Sequence, residues 1–234
     1  MIPLRDANPS RGTPFVNLTI IGVCTLIFIY ELMLGGGLER FLFTYGLIPA
    51  KLTRPEIALH FSLFERVLPL FTSMFLHGGW LHVIGNMWTL YIFGDNVEGE
   101  LGHVRYLLFY ILSGLIAGAM QVVISYDSRI PTIGASGAVA GVMGAYFILY
   151  PRARILAFVP IFFFFTLVEI PAYVFLGLWF ALQFFSGTFS LLASAQGVGG
   201  VAWWAHIGGF AGGVFLLFLL GKGGGSRYRY DRRF

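Results

Sequence analysis

Long apolar segments separated by short polar breaks follow one another along most of the chain. Six segments can be marked, at about residues 15–34, 71–93, 104–126, 135–150, 168–185 and 201–220. A helix of roughly 20 apolar residues is long enough to cross the hydrocarbon core of a bilayer. The pattern therefore predicts an all-α membrane protein with six transmembrane helices.

Two connections between these segments are unusually apolar. The first follows Gly37 and carries charges at Lys51 and Arg54, yet it is apolar for a loop. We therefore expect a long first loop that lies partly in the membrane. The second, residues 155–165, is interrupted by Pro160 and is too short to span a bilayer. We interpret it as an interfacial or half-inserted connection.

The composition favours a single membrane domain. Hydrophobic residues make up 57% of the 234-residue chain and charged residues only 11%, whereas soluble domains carry about 25% charged residues. We assign residues 1–14 to a cytosolic N-terminal segment, 15–221 to the membrane domain and 222–234 to a flexible basic tail. The basic residues lie in loops and in the tail, so we expect the lipid bilayer as a partner and not nucleic acid.

The basic residues also predict the orientation of the chain. With six spans both termini lie on one side, and that side holds ten of the 15 Lys and Arg residues. Cytosolic loops of membrane proteins carry an excess of Lys and Arg. We therefore predict multi-pass insertion with both termini in the cytosol, in the plasma membrane of a prokaryote.

Four polar side chains fall at one level within the predicted spans. His82 and Asn86 lie in the second segment, Ser136 starts the fourth and His206 lies early in the sixth. Even-numbered spans all run from outside to inside, so the N-terminal parts of these helices share a layer near the outer face. Polar groups in a membrane are costly, and each is therefore a functional candidate.

These four side chains suit hydrolysis of a peptide bond by a serine nucleophile. Ser136 begins a helix, whose free backbone N–H groups would stabilise an oxyanion. Small-residue pairs that allow close helix packing occur in the fourth and sixth segments: Gly137/Gly141, Gly208/Gly212 and Gly209/Gly213. If those faces meet, His206 can accept the Ser136 proton and return it to the leaving amine. No carboxylate is placed to complete a triad, so we expect a Ser-His dyad with His82 and Asn86 as donors to the oxyanion.

Each side chain also has a simpler interpretation when it is taken alone. A serine in a membrane helix often bonds a backbone carbonyl, and a histidine or asparagine often joins neighbouring helices. A metal site is not expected, because His77 and His82 are five residues apart and no His-Glu-x-x-His run or nearby cysteine completes a ligand shell. We interpret His77 as structural.

Three motifs resemble those of the rhomboid family of intramembrane serine proteases. Residues 75–86, with His82 and Asn86, resemble the family's His-x-x-x-Asn signature. The segments that resemble its Gly-x-Ser-Gly motif and its final-helix histidine motif are Gly134-Ala135-Ser136-Gly137 and Ala205-His206-Ile207-Gly208-Gly209. The motifs occur in the family's order, and the likeness covers about residues 15–220.

The resemblance implies a six-transmembrane-helix rhomboid bundle that cleaves transmembrane protein substrates near the outer membrane face, without metal or ATP, and we expect no cofactor. It implies Ser136 as nucleophile, His206 as general base, and His82 and Asn86 as oxyanion stabilisers. Some members place an aromatic ring one turn after the serine, stacked on the catalytic histidine. Ala140 occupies that position here, so His206 must be held in another way.

Two other functions stay open. One is a transporter or channel that uses the polar layer as a path, although the inner halves of the spans lack charges and no internal repeat is visible. The other is a catalytically silent rhomboid-like protein that binds and escorts membrane proteins. Such proteins usually lose the serine or the histidine, and both are present here.

Overall fold

The structure, a computed structural model, describes residues 1–10, 12–161, 164–192 and 201–221. The predicted basic tail, residues 222–234, lies outside the described residues. The long helices are α1 (Phe15–Met33), α7 (Trp80–Leu101), α8 (His103–Ile124), α9 (Ser136–Leu149), α10 (Ala172–Leu192) and α11 (Trp203–Leu220). Short helices α2 (Leu38–Tyr45), α3 (Ala50–Thr53), α4 (Pro55–Ala58), α5 (Leu63–Val67) and α6 (Pro69–Thr72) form the first loop, with 3₁₀ turns at Gly35–Gly37 and Ser73–Phe75. The strands are β1 (Ile2–Asp6), β2 (Arg154–Ile161) and β3 (Phe164–Pro171).

The architecture is that of a helical membrane bundle, as the apolar pattern predicts. Among the described residues, α1, α8, α10 and α11 are each long and apolar enough to cross a membrane. A further candidate span is a bent pair, in which residues Leu63–Phe75 meet α7 at 74°. The fourth predicted segment, α9, is apolar but shorter than the other long helices.

Helix α9 lies at the centre of the bundle, and its residues are buried without interruption from Gly137 to Tyr146. It packs against α7, α8 and α11. A Cβ atom added at Gly209 would lie 2.0 Å from the Gly137 carbonyl oxygen, so α9 and α11 touch backbone to backbone. The condition that the sequence analysis set for a Ser-His contact, that the glycine faces of these two helices meet, therefore holds for Gly209 and Gly213. The other pair on α11 faces α8 instead, since a Cβ atom at Gly208 would lie 2.6 Å from Met120.

Helix α7 does not coincide with the predicted second segment. That segment was placed at about residues 71–93, whereas the helix begins at Trp80 and continues to Leu101. It starts later because the chain bends at Gly78 and Gly79. It ends later because polar residues in its last turns are buried against the N-terminal part of the chain. The Glu98 carboxylate accepts the backbone N–H groups of Val16 and Asn17 at 3.0 and 2.7 Å, and thereby caps the start of α1.

The second apolar connection forms a β-hairpin. Strands β2 and β3 pair antiparallel, and β1 adds to β2, giving the order β1-β2-β3. The fifth predicted segment, α10, consequently begins at Ala172 and not near residue 168. One face of β2 packs on the bundle, where Ile155 and Ala157 are fully buried. The predicted cytosolic N-terminal segment thus contains a strand that is an integral part of the fold.

Candidate active site

Ser136 is the first residue of α9, at the end of the bundle where α7 and α11 also begin (the site end). The turn before it depends on Gly134, which has a φ of +128°. A side chain there would be strained, and its Cβ atom would lie 2.6 Å from His82 Nε2. Glycine at this position therefore lets the His82 imidazole lie directly against the backbone that precedes Ser136.

The His206 imidazole contacts the Ser136 hydroxyl across the interface between α9 and α11. The distance from His206 Nε2 to Ser136 Oγ is 2.8 Å. His206 is buried, whereas Ser136 is half-buried. The contact is possible because Gly137 and Gly209, the residues that hold the two backbones together, lie one and three positions beyond these two side chains.

The other nitrogen of His206 contacts a residue that the sequence analysis missed. His206 Nδ1 lies 2.7 Å from Gln183 Oε1 on α10, and both side chains are buried. An amide oxygen only accepts hydrogen bonds, so Nδ1 carries the proton and Nε2 presents its lone pair to Ser136. Gln183 could have been identified from the sequence, because it is a polar side chain inside an apolar run.

A ring from α10 also packs beside the histidine. Trp179 lies one turn before Gln183, and its ring centroid is 5.9 Å from that of His206. The aromatic contact that Ala140 cannot supply from α9 is therefore made from α10. The same helix provides both the hydrogen-bond acceptor and the ring that hold His206.

His82 and Asn86 project from the first two turns of α7. His82 Nδ1 accepts the Gly78 N–H at 3.4 Å, so its Nε2 carries the proton, and Nε2 is the atom that lies against Gly134. Asn86 is buried, and its Nδ2 has no hydrogen-bond partner within the described structure. A buried amide donor without a partner is costly. Both side chains thus carry N–H groups without a partner in the described structure, and that of His82 lies against the turn that precedes Ser136.

His77 and Glu31 support the loop that carries the serine. The backbone N–H of His77 donates to the Glu31 carboxylate at 3.2 Å, and His77 Nε2 accepts the Ala135 N–H at 3.5 Å. The His77 ring also packs edge-on against His82. The structural interpretation of His77 agrees with these contacts, while its link to the residue before Ser136 was not predicted. Among the described residues, no three His, Cys, Asp or Glu side chains cluster as metal ligands would.

Comparison with known proteins identifies a family. The family model described as Rhomboid domain matches residues 65–223, which is more than half of the chain. RHOMBOID-like protein 4 of Arabidopsis thaliana is 35% identical over 158 residues, which cover 64% of this chain and 33% of that protein. Rhomboid protein 1, mitochondrial, of Saccharomyces cerevisiae is 29% identical over 154 residues, covering 64% of this chain and 41% of that protein.

One bacterial relative has a name that refers to proteolytic activity. A putative rhomboid protease of Bacillus subtilis is 35% identical over 77 residues, which cover 33% of this chain and 38% of that protein. In each of these comparisons the match spans less than half the length of the relative. The family match extends over α7, α9, α10 and α11, the helices that carry the polar layer. The chain belongs to the rhomboid family.

Proposed function

We propose that this protein is an intramembrane serine endopeptidase in which Ser136 is the nucleophile and His206 the general base. The observation that carries the proposal is the continuous pair of hydrogen-bond contacts from Gln183 Oε1 through His206 to Ser136 Oγ, at 2.7 and 2.8 Å. This arrangement leaves a basic nitrogen directed at a half-buried hydroxyl, as an activated serine requires.

The reaction follows from these contacts. Ser136 Oγ attacks the carbonyl carbon of the substrate peptide bond while its proton passes to His206 Nε2. When the carbon–nitrogen bond breaks, the same proton goes to the leaving amine, and an ester joins the substrate acyl group to Ser136. Water then attacks the ester, giving one proton to His206, and release of the acid returns that proton to Ser136 Oγ.

Two side chains would stabilise the negative oxygen that forms in each step. His82 Nε2–H lies against the turn before Ser136, Asn86 one turn further along α7 has an amide donor without a partner in the described structure, and the start of α9 adds free backbone N–H groups. Donors held in place before the reaction stabilise the developing charge without reorganising. The unpartnered Asn86 Nδ2 supports this role, because an oxyanion would give it the acceptor it lacks.

Gln183 acts as a positioning residue. It holds His206 in the tautomer that can accept a proton from Ser136, the task that a carboxylate performs in a catalytic triad. Because its amide is neutral, it stabilises the protonated imidazole less than a carboxylate would. We therefore expect a modest rate, because His206 is well oriented but its protonated form is only weakly stabilised.

The proposed substrates are transmembrane proteins, cut near the outer face of the membrane. The reacting groups lie at one end of a helical membrane bundle, and the excess of Lys and Arg on the opposite side favours cytosolic termini. We propose the plasma membrane of a prokaryote as the location. The relatives include a bacterial protein as well as proteins whose names place them in mitochondria.

Cleavage of a reporter membrane protein in reconstituted vesicles tests the proposal. We expect the wild type to cut it and the variants Ser136→Ala and His206→Ala not to. Ser113→Ala is a matched control, because Ser113 is a buried serine on α8 whose Oγ has no hydrogen-bond partner in the described structure. Equal cutting by wild type and Ser136→Ala would overturn the proposal. Stable binding of the reporter without cutting by the wild type would favour the silent escort protein.

A further inference from the structure

The sheet has one edge that is protected and one that is open. Strand β1 packs against α7, where Trp88 Nε1–H donates to the Pro3 carbonyl at 2.6 Å, and its pairing with β2 is interrupted between Pro3 and Arg5. Strand β3 pairs with β2 along all eight of its residues without interruption. Within the described residues, no strand pairs with the other side of β3, which we call the open edge.

The open edge lacks the features that usually protect an edge strand. Every second residue directs its N–H and C=O away from the paired strand, so about half of the β3 backbone groups have no strand partner. Proteins protect such edges with lysine, internal proline or bulges, whereas β3 has one proline, Pro171 at its end, and one charge, Glu169. Phe165, Leu167 and Val168 are 69%, 58% and 39% exposed, on both faces. The geometry of this edge suits an extended polypeptide.

Helices α10 and α11 run in opposite directions. Gln183 contacts His206, while Phe180, one turn earlier on α10, packs on Phe210, one turn later on α11. Helix α10 begins directly after β3. The end of α11 therefore lies beside the start of α10, at the end of the bundle remote from Ser136 (the far end).

The C-terminal segment consequently starts close to the open edge. Counted from the contact between His206 and Gln183, α11 continues for 14 residues and α10 extends back for 11, which correspond to about 21 and 17 Å of helix. Packed helix axes are about 8–10 Å apart. Residues 221–226, of which four are glycine, can span up to about 20 Å when extended. Residues 227–234 are therefore within reach of β3.

Residues 227–234 have the sequence pattern of a strand. The sequence is Arg-Tyr-Arg-Tyr-Asp-Arg-Arg-Phe, in which tyrosine alternates with charged residues over the first five positions. Alternate residues of a strand share a face, and aromatic residues are enriched in strands. The segment is also eight residues long, the length of β3. It therefore matches the open edge in both length and period.

We propose that residues 227–234 pair with the open edge of β3 as a fourth strand. The segment leaves α11 at the far end, whereas β3 runs toward that end, so the two strands are antiparallel. Placing Arg229 opposite Glu169 brings a guanidinium beside a carboxylate whose side chain is 55% exposed. The same register places Tyr230 opposite Val168, on the side of the sheet that faces the bundle.

Two other partners compete for a basic segment. Anionic lipid headgroups attract clusters of Lys and Arg, but that attraction does not require tyrosine at alternate positions and leaves the β3 backbone unpaired. A second copy of the chain has the same open edge. The six-residue connection favours the edge of the same chain, because a short link holds the segment at a millimolar effective concentration.

The fourth strand has two consequences. It closes an edge that otherwise invites strand addition by another chain. It also ties the end of α11 to the strand that leads into α10, and these are the two helices whose side chains meet at His206 and Gln183. The proposal concerns the fold and does not depend on catalytic activity.

Amide hydrogen exchange of the full chain in detergent micelles tests the pairing. The variant Tyr230→Pro with Asp231→Pro lacks two adjacent N–H groups, one of which must face β3 in a strand. Its matched control, Tyr230→Thr with Asp231→Asn, loses the same tyrosine and the same charge but keeps both N–H groups. Both variants make the segment more basic, so neither weakens an attraction to anionic lipid.

We expect slow exchange at the open-edge amides of β3 in the wild type and in the control, and exchange at least about 10-fold faster in the proline variant. Exchange in α8 should be the same in all three proteins, because the bundle is unchanged. Equal exchange of β3 in the wild type and the proline variant would overturn the proposal. Equal acceleration in both variants would also overturn it, because loss of the side chains and not of strand pairing would then be responsible.

A cross-link separates pairing within one chain from pairing between two chains. Leu167→Cys and Asp231→Cys lie directly opposite each other when Arg229 is opposite Glu169, and the native Cys24 is fully buried. We expect a short bismaleimide to link the two cysteines of the double variant within a monomer. An equimolar mixture of the two single variants should give no link. A covalent dimer in that mixture would assign the open edge to a second copy and overturn the proposal.

Discussion

Gln183 on α10 holds His206 on α11 through a hydrogen bond of 2.7 Å between its Oε1 and the Nδ1 of the imidazole. The bond joins two different helices, so it depends on how α10 packs against the bundle. If α10 moves, the orientation of the proposed base changes with it. The position of α10 and the reactivity of Ser136 are thereby coupled.

Replacing Gln183 should lower kcat when the new side chain cannot accept the hydrogen bond from His206. Gln183→Met keeps a side chain of similar length without an acceptor, and we expect kcat to fall about 10- to 100-fold, part of the 10²–10⁴ that a general base contributes. KM should change little, because Gln183 acts through His206. Gln183→Glu retains an acceptor oxygen and should recover most of the activity. Steady-state cleavage of a reporter and the rate of fluorophosphonate labelling of Ser136 measure both effects. Equal losses in the two variants would show that Gln183 serves packing only.

Removing the Asn86 amide should weaken the reaction without weakening substrate binding. In Asn86→Leu the donor is lost, and loss of one oxyanion donor typically costs about 10²- to 10³-fold in kcat. His82→Ala should behave similarly, because the His82 Nε2 lies against Gly134, two residues before Ser136. The measurement is kcat and KM in vesicles, with thermal stability recorded for each variant. An unchanged kcat in Asn86→Leu would remove Asn86 from the proposed oxyanion site.

A methyl group at the contact between α9 and α11 should separate the reacting pair. In Gly209→Ala the new Cβ atom would lie 2.0 Å from the Gly137 carbonyl oxygen, and backbone cannot yield without moving a helix. We expect a loss of about 1–3 kcal/mol in stability, as for other overpacked sites, together with loss of cleavage. Gly177→Ala on α10 is the control, since nothing lies within 4 Å of its Cβ position. Thermal unfolding in detergent compares the two, and a stable, active Gly209→Ala would contradict the helix contact.

The attachment of β1 should depend on pH through Asp6. Burial raises the pKa of Asp6 from 3.8 to about 6, against the opposing effect of the Tyr146 hydrogen bond and with a smaller contribution from the charge of Asp95. The folded state then binds a proton that the unfolded chain has lost, so stability should fall as pH rises from about 4 to 6 and level off above 6. Asp6→Asn should remove this dependence. Unfolding temperatures between pH 4.5 and 7.5 check it, and an identical slope in both proteins would exclude Asp6 as the cause.

The periodic and compositional features of the chain were sufficient to predict the bundle. Segments expected at about 104–126, 135–150 and 201–220 agree within two residues with α8, α9 and α11. Each of these helices satisfies its backbone hydrogen bonds within itself, so local sequence is enough to define it. The glycine spacing on α9 and α11 likewise indicated that these helices could pack closely, because close approach needs small residues on both faces.

Pairing between distant parts of the chain decided the rest. Residues 154–171 have an apolar pattern that suits either a half-inserted loop or a strand. They form a hairpin in which β2 pairs with β3, and residues 2–6, about 150 positions away, add a third strand to β2. Helix α7 extends to Leu101 because Glu98 finds the N–H groups of α1. The motifs placed Ser136, His206, His82 and Asn86 in one layer, but the orientation of His206 required a neighbour, Gln183, that only the packing of α10 could provide. A sequence determines which faces are apolar, polar or small; the tertiary structure determines which of those faces meet.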